Sequence, residues 1–382
     1  MEALPDELLL LIFRHLHKFD ILYSFNSLNQ RFQQIIEPYL FDIDLTQENS
    51  FSYKDIHLFL QHILPLQGRA VRSLKLDGQQ FRLFYIRVCH LINLQSLTLK
   101  LHRFDVQYSR QLNYFLTRAL STVPSLTELL LFESGTETLK TISSFASYNL
   151  TKLTLLCSCG DPNLDDVSQM PYLKHLSMNL DSKLLIKLFK IMTNLQELNL
   201  AVLHFNDIEN FYLLQVPKTL EKLQLEIGLY GNCQSNLQTI KKFLDVFKNE
   251  LSSLILIIIN AERDFCNYSD FQSLVSNYTR LEAFQYYIRT NCRPDDSRFL
   301  NVEQLPDSRY CFYTLPLPKL FDTISSLTTL DCHLDSNFTL QKLSICTTLY
   351  ISSSHNYQIP LITSELKDDL KLVNRKKIQF FF

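Results

Sequence analysis

Glycine is scarce in this chain: six residues in 382, at Gly68, Gly78, Gly135, Gly160, Gly228 and Gly231. None of them forms GxGxxG or a P-loop. Loops that cradle phosphate need glycine for tight turns and close backbone approach, so a dinucleotide-binding or P-loop enzyme is excluded. Cysteine has no framework: nine residues, an odd number, irregularly scattered. They read as reduced core residues rather than disulfides. CxxC, HExxH and GxSxG are all missing. Cys157 and Cys159 in "CSCG" are separated by one residue, too close for a zinc pair. No metal site and no cofactor is expected, and no catalytic constellation is present. The acidic pairs Asp165-Asp166 and Asp295-Asp296 read as solvated loops.

Charge of one sign is lacking too. The net charge is −2, which gives no field to recruit nucleic acid or an anionic membrane. The run Arg375-Lys376-Lys377 is too short to change that and reads as a solvated tail. No apolar run approaches the ~20 residues needed to span a bilayer. "LLLLIF", Leu8 to Phe13, is too short, and its flank carries Asp6 and Glu7 where an export signal carries Lys or Arg. The expected compartment is cytoplasmic or nuclear. On that reading the sequons at Asn149, Asn267, Asn277 and Asn337 are chance. At 46 % hydrophobic and 20 % charged residues, the composition is that of a folded globular chain.

What is present in abundance is a repeated six-residue frame, L-x-x-L-x-L. It starts at Leu94, Leu126, Leu150, Leu173, Leu195, Leu220, Leu251 and Leu281. Val71 is a plausible first copy, and Leu327 and Leu340 are plausible last ones. Most steps are about 22 to 32 residues, near the leucine-rich-repeat period. The fourth and sixth positions alternate along a strand and share one face. Stacked on their equivalents they form a core that one repeat cannot close alone. Segments of helical periodicity lie between frames: Tyr108 to Leu120, Ser182 to Leu195, and Asn236 to Leu251.

The expected fold class is therefore α/β: an irregular leucine-rich-repeat horseshoe over 71–290, with a parallel sheet on the concave face and helices on the convex face. A linker or helical cap is expected over 45–70, and irregular C-terminal repeats and a cap over 291–382. The Asn or Cys that usually follows the last Leu of the frame is missing in most copies, so the loops must satisfy their backbone groups otherwise. Frame positions three, five and seven point to the concave face. Most are polar. Leu130, Phe132, Leu156, Ile255 and Ile257 are not, and form the expected protein-substrate surface.

The opening "LPDELLLLIFRHL" has helix-start chemistry in Pro5, Asp6 and Glu7. Leu8, Leu9, Ile12, Phe13 and Leu16 share an arc of about 140°, with Leu10 and Leu11 outside it. Apolar residues on two faces predict burial on two sides. Asp20 is the expected cap of a second helix. Leu28, Phe32, Ile35 and Ile36 carry a third, ending at Pro38. Three helices in so few residues need a partner.

This segment, residues 1–44, resembles an F-box. The matching residues are Leu4-Pro5, Leu8, Ile12, Phe13, Leu16, Asp20, Leu22, Leu28 and Phe32, the last standing where that family usually has Trp. An F-box ahead of leucine-rich repeats resembles the substrate receptors of Skp–cullin–F-box ubiquitin ligases. The resemblance implies a non-enzymatic receptor. It would bind a Skp-type adaptor through Leu4, Pro5, Leu8, Ile12, Phe13, Leu16, Leu22, Leu28 and Phe32, and through that adaptor a cullin scaffold. A protein substrate would sit on the repeats, with no nucleic acid or membrane involved. Two alternatives stay open: a repeat scaffold or inhibitor that binds a partner on its concave face without any ligase, and a secreted recognition domain.

Overall fold

In the computed structural model of the protein, the described residues are 4–25, 28–46, 52–78, 80–100, 106–132, 137–145, 149–156, 163–202, 213–228, 236–294, 299, 301–304, 309–314, 350–351 and 379–380. The chain folds as two compact units. The first is Met1–Asn179 with Ile186–Glu197; the second is Leu180–Leu185 with Leu198–Phe382.

The first unit opens with three helices: α1 (Asp6–Phe13), α2 (Lys18–Phe25) and α3 (Gln30–Leu40). Two expected boundaries move. Helix α2 starts at Lys18, so Asp20 lies in its first turn rather than capping it. Pro38 does not stop α3, which runs on to Leu40. The proline sits in the last turn, where its own carbonyl accepts the Phe41 amide and closes the helix. Leu40 is then drawn into the core.

The strands of this unit follow in order: β1 (Asp42–Asp44), β2 (Ser73–Asp77), β3 (Ser96–Lys100), β4 (Glu128–Phe132), β5 (Lys152–Leu156) and β6 (His175–Leu180). Strands β1 to β6 pair parallel and in register, with Leu74, Leu97, Leu129, Leu153 and Leu176 side by side. Between them lie α4 (Tyr53–Leu58), continued by a π turn over Phe59–Ile63, then α5 (Leu64–Gln67), α6 (Phe81–Phe84), α7 (Val106–Thr122) and α8 (Thr138–Phe145). Ser52 starts α4 with a reciprocal capping box to Asp55. Frame positions one, four and six are buried in copy after copy, as at Leu94, Leu97 and Leu99. Each such leucine contributes roughly 1.5–3 kcal/mol.

Strand β1 is a frame that sequence reading placed inside the three-helix segment. Leu40, Ile43 and Leu45 occupy its three apolar positions and all three are buried. The last residue of α3 is thus the first apolar residue of the first rung, and a boundary at 44 cuts that rung.

The missing Asn or Cys is replaced by two other ladders. In the first, one carbonyl at frame position two accepts both amides at positions two and three of the next copy. Phe41 accepts from Arg72 and Ser73, Arg72 from Gln95 and Ser96, Gln95 from Thr127 and Glu128, and so on to Lys174 with Gln196 and Glu197, at 2.7 to 3.0 Å. In the second ladder, a polar side chain just before the frame reaches back to a carbonyl of the preceding copy. Asn93 donates to Arg69, Ser125 to Ile92, Asn149 to Pro124 and Asn194 to Pro171. Asn149, a sequon asparagine, therefore has a structural partner. So does Asn267, whose side chain caps a helix of the second unit.

The second unit carries β7 (Glu197–Val202), β8 (Lys222–Ile227), β9 (Ser253–Ala261), β10 (Ala283–Thr290), β11 (Val302–Gln304) and β12 (Tyr310–Tyr313), in sheet order β7-β8-β9-β10-β12-β11. Helices α10 (Leu237–Leu244) and α11 (Tyr268–Gln272) connect its strands, whereas α9 (Leu185–Ile191) lies, but for Leu185, in the first unit. The pairing is parallel from β8 to β10 and turns antiparallel at β10–β12 and β12–β11. That reversal ends the repeat pattern where the period breaks in sequence. Phe271, Tyr286, Phe299 and Phe312 pack there, with Phe299 and Phe312 centroids 4.4 Å apart. A two-residue pairing joins β13 (Tyr350–Ile351) to β14 (Gln379–Phe380). The frames at Leu327 and Leu340, the pair Asp295-Asp296, "CSCG" and the run Arg375–Lys377 lie outside the described residues.

Asp44 links the first rung to the second. It accepts from the Thr46 amide at 3.0 Å and hydroxyl at 2.7 Å, and from Lys75 Nζ at 3.3 Å. Burial pushes its carboxyl up, but the Thr46 donors and the Lys75 ammonium outweigh that and hold it below the ordinary carboxylate range. A group whose folded pKa is depressed stabilises above its unfolded pKa and loses that contribution as pH falls through the folded value. The stability gap between the wild type and Asp44→Asn should therefore be largest near neutrality. Urea unfolding should show it shrinking as pH falls from about 5, about one unit above the ordinary carboxylate value, through the lowered folded value.

Candidate protein-docking surface

Helix α1 buries only two side chains, Leu9 and Phe13, at i and i+4. Phe13 lies 4.7 Å from the Phe25 ring and 6.0 Å from Tyr39, edge-on. Phe25 in turn packs on Phe32 at 5.3 Å. The inward stripe of α1 thus seats on an aromatic cluster supplied by α2 and α3. Leu22, Phe32 and Ile36 of the same two helices are fully buried.

The rest of α1 faces outward. Leu8, Leu11 and Ile12, at i, i+3 and i+4, form one stripe, and Leu8 is 47 % exposed and Leu11 51 %. Leu10, Leu16 and Leu28 are exposed as well, Leu28 at 55 %. Leu28 directly precedes Asn29, which caps α3 by accepting the Phe32 amide at 3.0 Å. A single exposed leucine is ordinary; several on one short three-helix segment mark an interaction surface.

The other side of the segment is built into the first rungs. The Lys18 ammonium donates to the Asp42 carbonyl of β1. Burial lowers its pKa, with Asp42 and Asp44 opposing. The Tyr23 hydroxyl donates to the Asp55 carbonyl at 2.5 Å, and burial together with that acidic neighbour raises its pKa. Phe19 meets Phe59 edge-on at 5.3 Å, and the Arg72 guanidinium lies 4.2 Å above the Phe41 ring.

The nine expected adaptor-binding residues therefore divide. Pro5, Leu8, Ile12, Leu16 and Leu28 are exposed, and Leu4 is half-buried. Phe13, Leu22 and Phe32 are interior. The expected arc of Leu8, Leu9, Ile12, Phe13 and Leu16 is correspondingly turned: its Leu9–Phe13 edge goes in and the rest goes out. Leu10 and Leu11 are additional surface residues.

The five expected substrate-binding residues divide as well. In the first unit, Leu130 and Phe132 are half-buried on the outer face of β4, beside Leu156 on β5 in register with Phe132. Lys100 Nζ stands 5.4 Å from the Phe132 ring centre. Leu156, expected to be exposed, is 7 % exposed. Ile255 and Ile257 belong to the second unit. Ile255 is half-buried, but Ile257 is fully buried, between Glu226 and Tyr287 of the neighbouring strands. Ile257 is thus an interior residue. The adjacent buried pair, with Gln224 Nε2 donating to Glu226 Oε1 at 2.6 Å, had no signal in the sequence, where both residues read as a wet sheet face.

Charged rows on the first unit's sheet are self-paired: Glu128 with Lys152 at 3.8 Å and His175 with Glu197 at 3.2 Å. The loop acids Asp165 and Asp166 pair with Lys187 at 2.7 Å and Lys140 at 3.0 Å. Among the described residues no group of three or more His, Cys, Asp or Glu side chains is placed to hold a metal ion. No described helix is long and apolar enough to cross a membrane.

No family model and no curated protein matches the sequence. Among solved structures, the chain is similar to the leucine-rich repeat-containing protein LegL7 from Legionella pneumophila. The identity is 13 %, the match covers 65 % of this chain and 89 % of that one, and the TM-score is 0.41. A likeness of that degree says nothing about partners. The fold follows from the chain's own rungs: parallel strands in register, buried leucines at fixed frame positions and a recurrent carbonyl ladder make it leucine-rich-repeat-like.

Proposed function

We propose that the protein is a substrate-recognition subunit of an SCF-type ubiquitin ligase. In this reading the three-helix segment is an F-box that binds a Skp-type adaptor, and the repeats bind a protein substrate. One observation carries it: the stripe Leu8–Leu11–Ile12, with Leu28, stands in solvent on a segment whose opposite side is fixed to the first rungs. Burying such side chains at an interface supplies binding free energy at roughly 25 cal/mol per Å² of apolar surface. The anchored side transmits position to the sheet.

The chain does no bond chemistry in this account. It raises the effective concentration of substrate near a ubiquitin-charged enzyme and fixes its orientation. Leu130 and Phe132 offer apolar contact for a substrate on the first unit. The compartment is that of the ligase, cytoplasmic or nuclear.

Recruitment of the cullin tests the reading. Immobilised full-length protein should retain a purified cullin only when a Skp-type adaptor is also present. Retention of the adaptor without the cullin, or of the cullin without the adaptor, contradicts the proposed role.

A further inference from the structure

Helix α1 can display its outward stripe only while its inward pair stays seated. It is eight residues long, has no side-chain cap at Pro5, and has two buried anchors. A helix of that length is marginal on its own. Arg31, at the start of α3, reaches back to the beginning of α1. Its Nε donates to Asp6 Oδ1 at 2.8 Å, its Nη2 donates to the same oxygen at 2.5 Å, and Nη2 also donates to the Leu4 carbonyl. Leu28 lies three residues before Arg31. The guanidinium therefore ties together the two parts of the exposed surface, the Leu4–Leu8 start and the Leu28 turn.

We propose that Arg31 is a positioning residue for the docking surface: its fork fixes the first turn of α1 against α3, so that Leu8 and Ile12 are presented together with Leu28. This rests on the docking reading above. The pair is partly exposed, with the Arg31 side chain at 36 % and Asp6 at 54 %, and exposed ion pairs add little to stability. Its effect falls on geometry instead. Lysine does not substitute, because an ammonium is a point charge without the planar fork that holds a carboxylate and a carbonyl at once.

Arg31→Lys and Arg31→Met in the full-length chain test this by two readouts. Amide exchange over Leu8–Phe13 should speed up in both variants, with the urea midpoint of the chain unchanged. Affinity for a purified Skp-type adaptor should fall about tenfold if α1 is correctly placed a tenth of the time, since apparent affinity scales with the competent fraction. Unchanged exchange, unchanged affinity, or a lowered urea midpoint overturns the positioning role. The Leu8→Glu/Ile12→Glu variant runs alongside. If it loses the adaptor while both Arg31 variants keep it, the Arg31 assignment fails and the docking reading stands. If the wild type itself binds no adaptor, the docking reading fails and Arg31 has no surface to position.

Discussion

Replacing Leu8 and Ile12 together with glutamate should abolish capture of a Skp-type adaptor while leaving the fold intact. Both side chains stand in solvent in the free chain. Exposed substitutions usually change stability by no more than about 0.5 kcal/mol each. Glutamate is nearly as good a helix former as leucine, and at position 8 it lies near the positive end of the α1 dipole. In the complex the balance reverses. Apolar residues at the centre of an interface are worth about 2 kcal/mol or more each, and the variant would also bury two unpaired carboxylates. The dissociation constant should rise by at least about a thousandfold. Calorimetric titration reads the binding, and urea unfolding of the same sample reads the fold. Retained binding by the folded variant would place the adaptor elsewhere or nowhere.

Phe13→Ala should fail in the opposite way. Phe13 is one residue from Ile12, yet it is buried against Phe25 and Tyr39. Truncating a buried phenylalanine costs about 3–5 kcal/mol, and the lost ring pairs are part of that loss. The damage should stay local, because Phe13 packs on the aromatic cluster of the three helices rather than on the leucine rows of β2–β6. Amide exchange should show α1 to α3 unprotected while strands β2 to β5 keep their protection. Docking would be lost as well, but with a fall in stability that the glutamate pair does not show. If Phe13→Ala unfolds no part of α1–α3, the inward stripe has been assigned to the wrong side.

The repeat array was legible because its signal is repeated. A frame with three apolar positions recurs often enough that one irregular copy does not hide the others, and each copy predicts a strand whose alternate side chains are buried. The helices of Tyr108–Leu120 and Asn236–Leu251 were legible from their spacing. The frame Leu40–Ile43–Leu45 was not, because it overlaps the end of α3: one leucine ends the helix and begins the rung. The orientation of α1 was not legible either. Six apolar residues in a row fit two stripes equally well on a wheel, and only the position of Phe25, Phe32 and Tyr39 decides which pair goes in. On the sheet, sequence alternation separates the two faces but says nothing about neighbours. Ile257 and Phe132 occupy equivalent frame positions, yet one is enclosed by Glu226 and Tyr287 and the other stands half-open beside Lys100. Tertiary surroundings set that difference, and a single sequence does not contain them.

The central claim is that the exposed leucines of the three-helix segment bind an adaptor. Its most direct test is the mass of the species formed when the full-length chain is mixed with a purified Skp-type adaptor, read by light scattering during size-exclusion chromatography. The account predicts a single one-to-one complex that the Leu8→Glu/Ile12→Glu variant does not form. Separate elution of folded wild-type chain and adaptor would contradict it, leaving the outward stripe of α1 without the partner assigned to it.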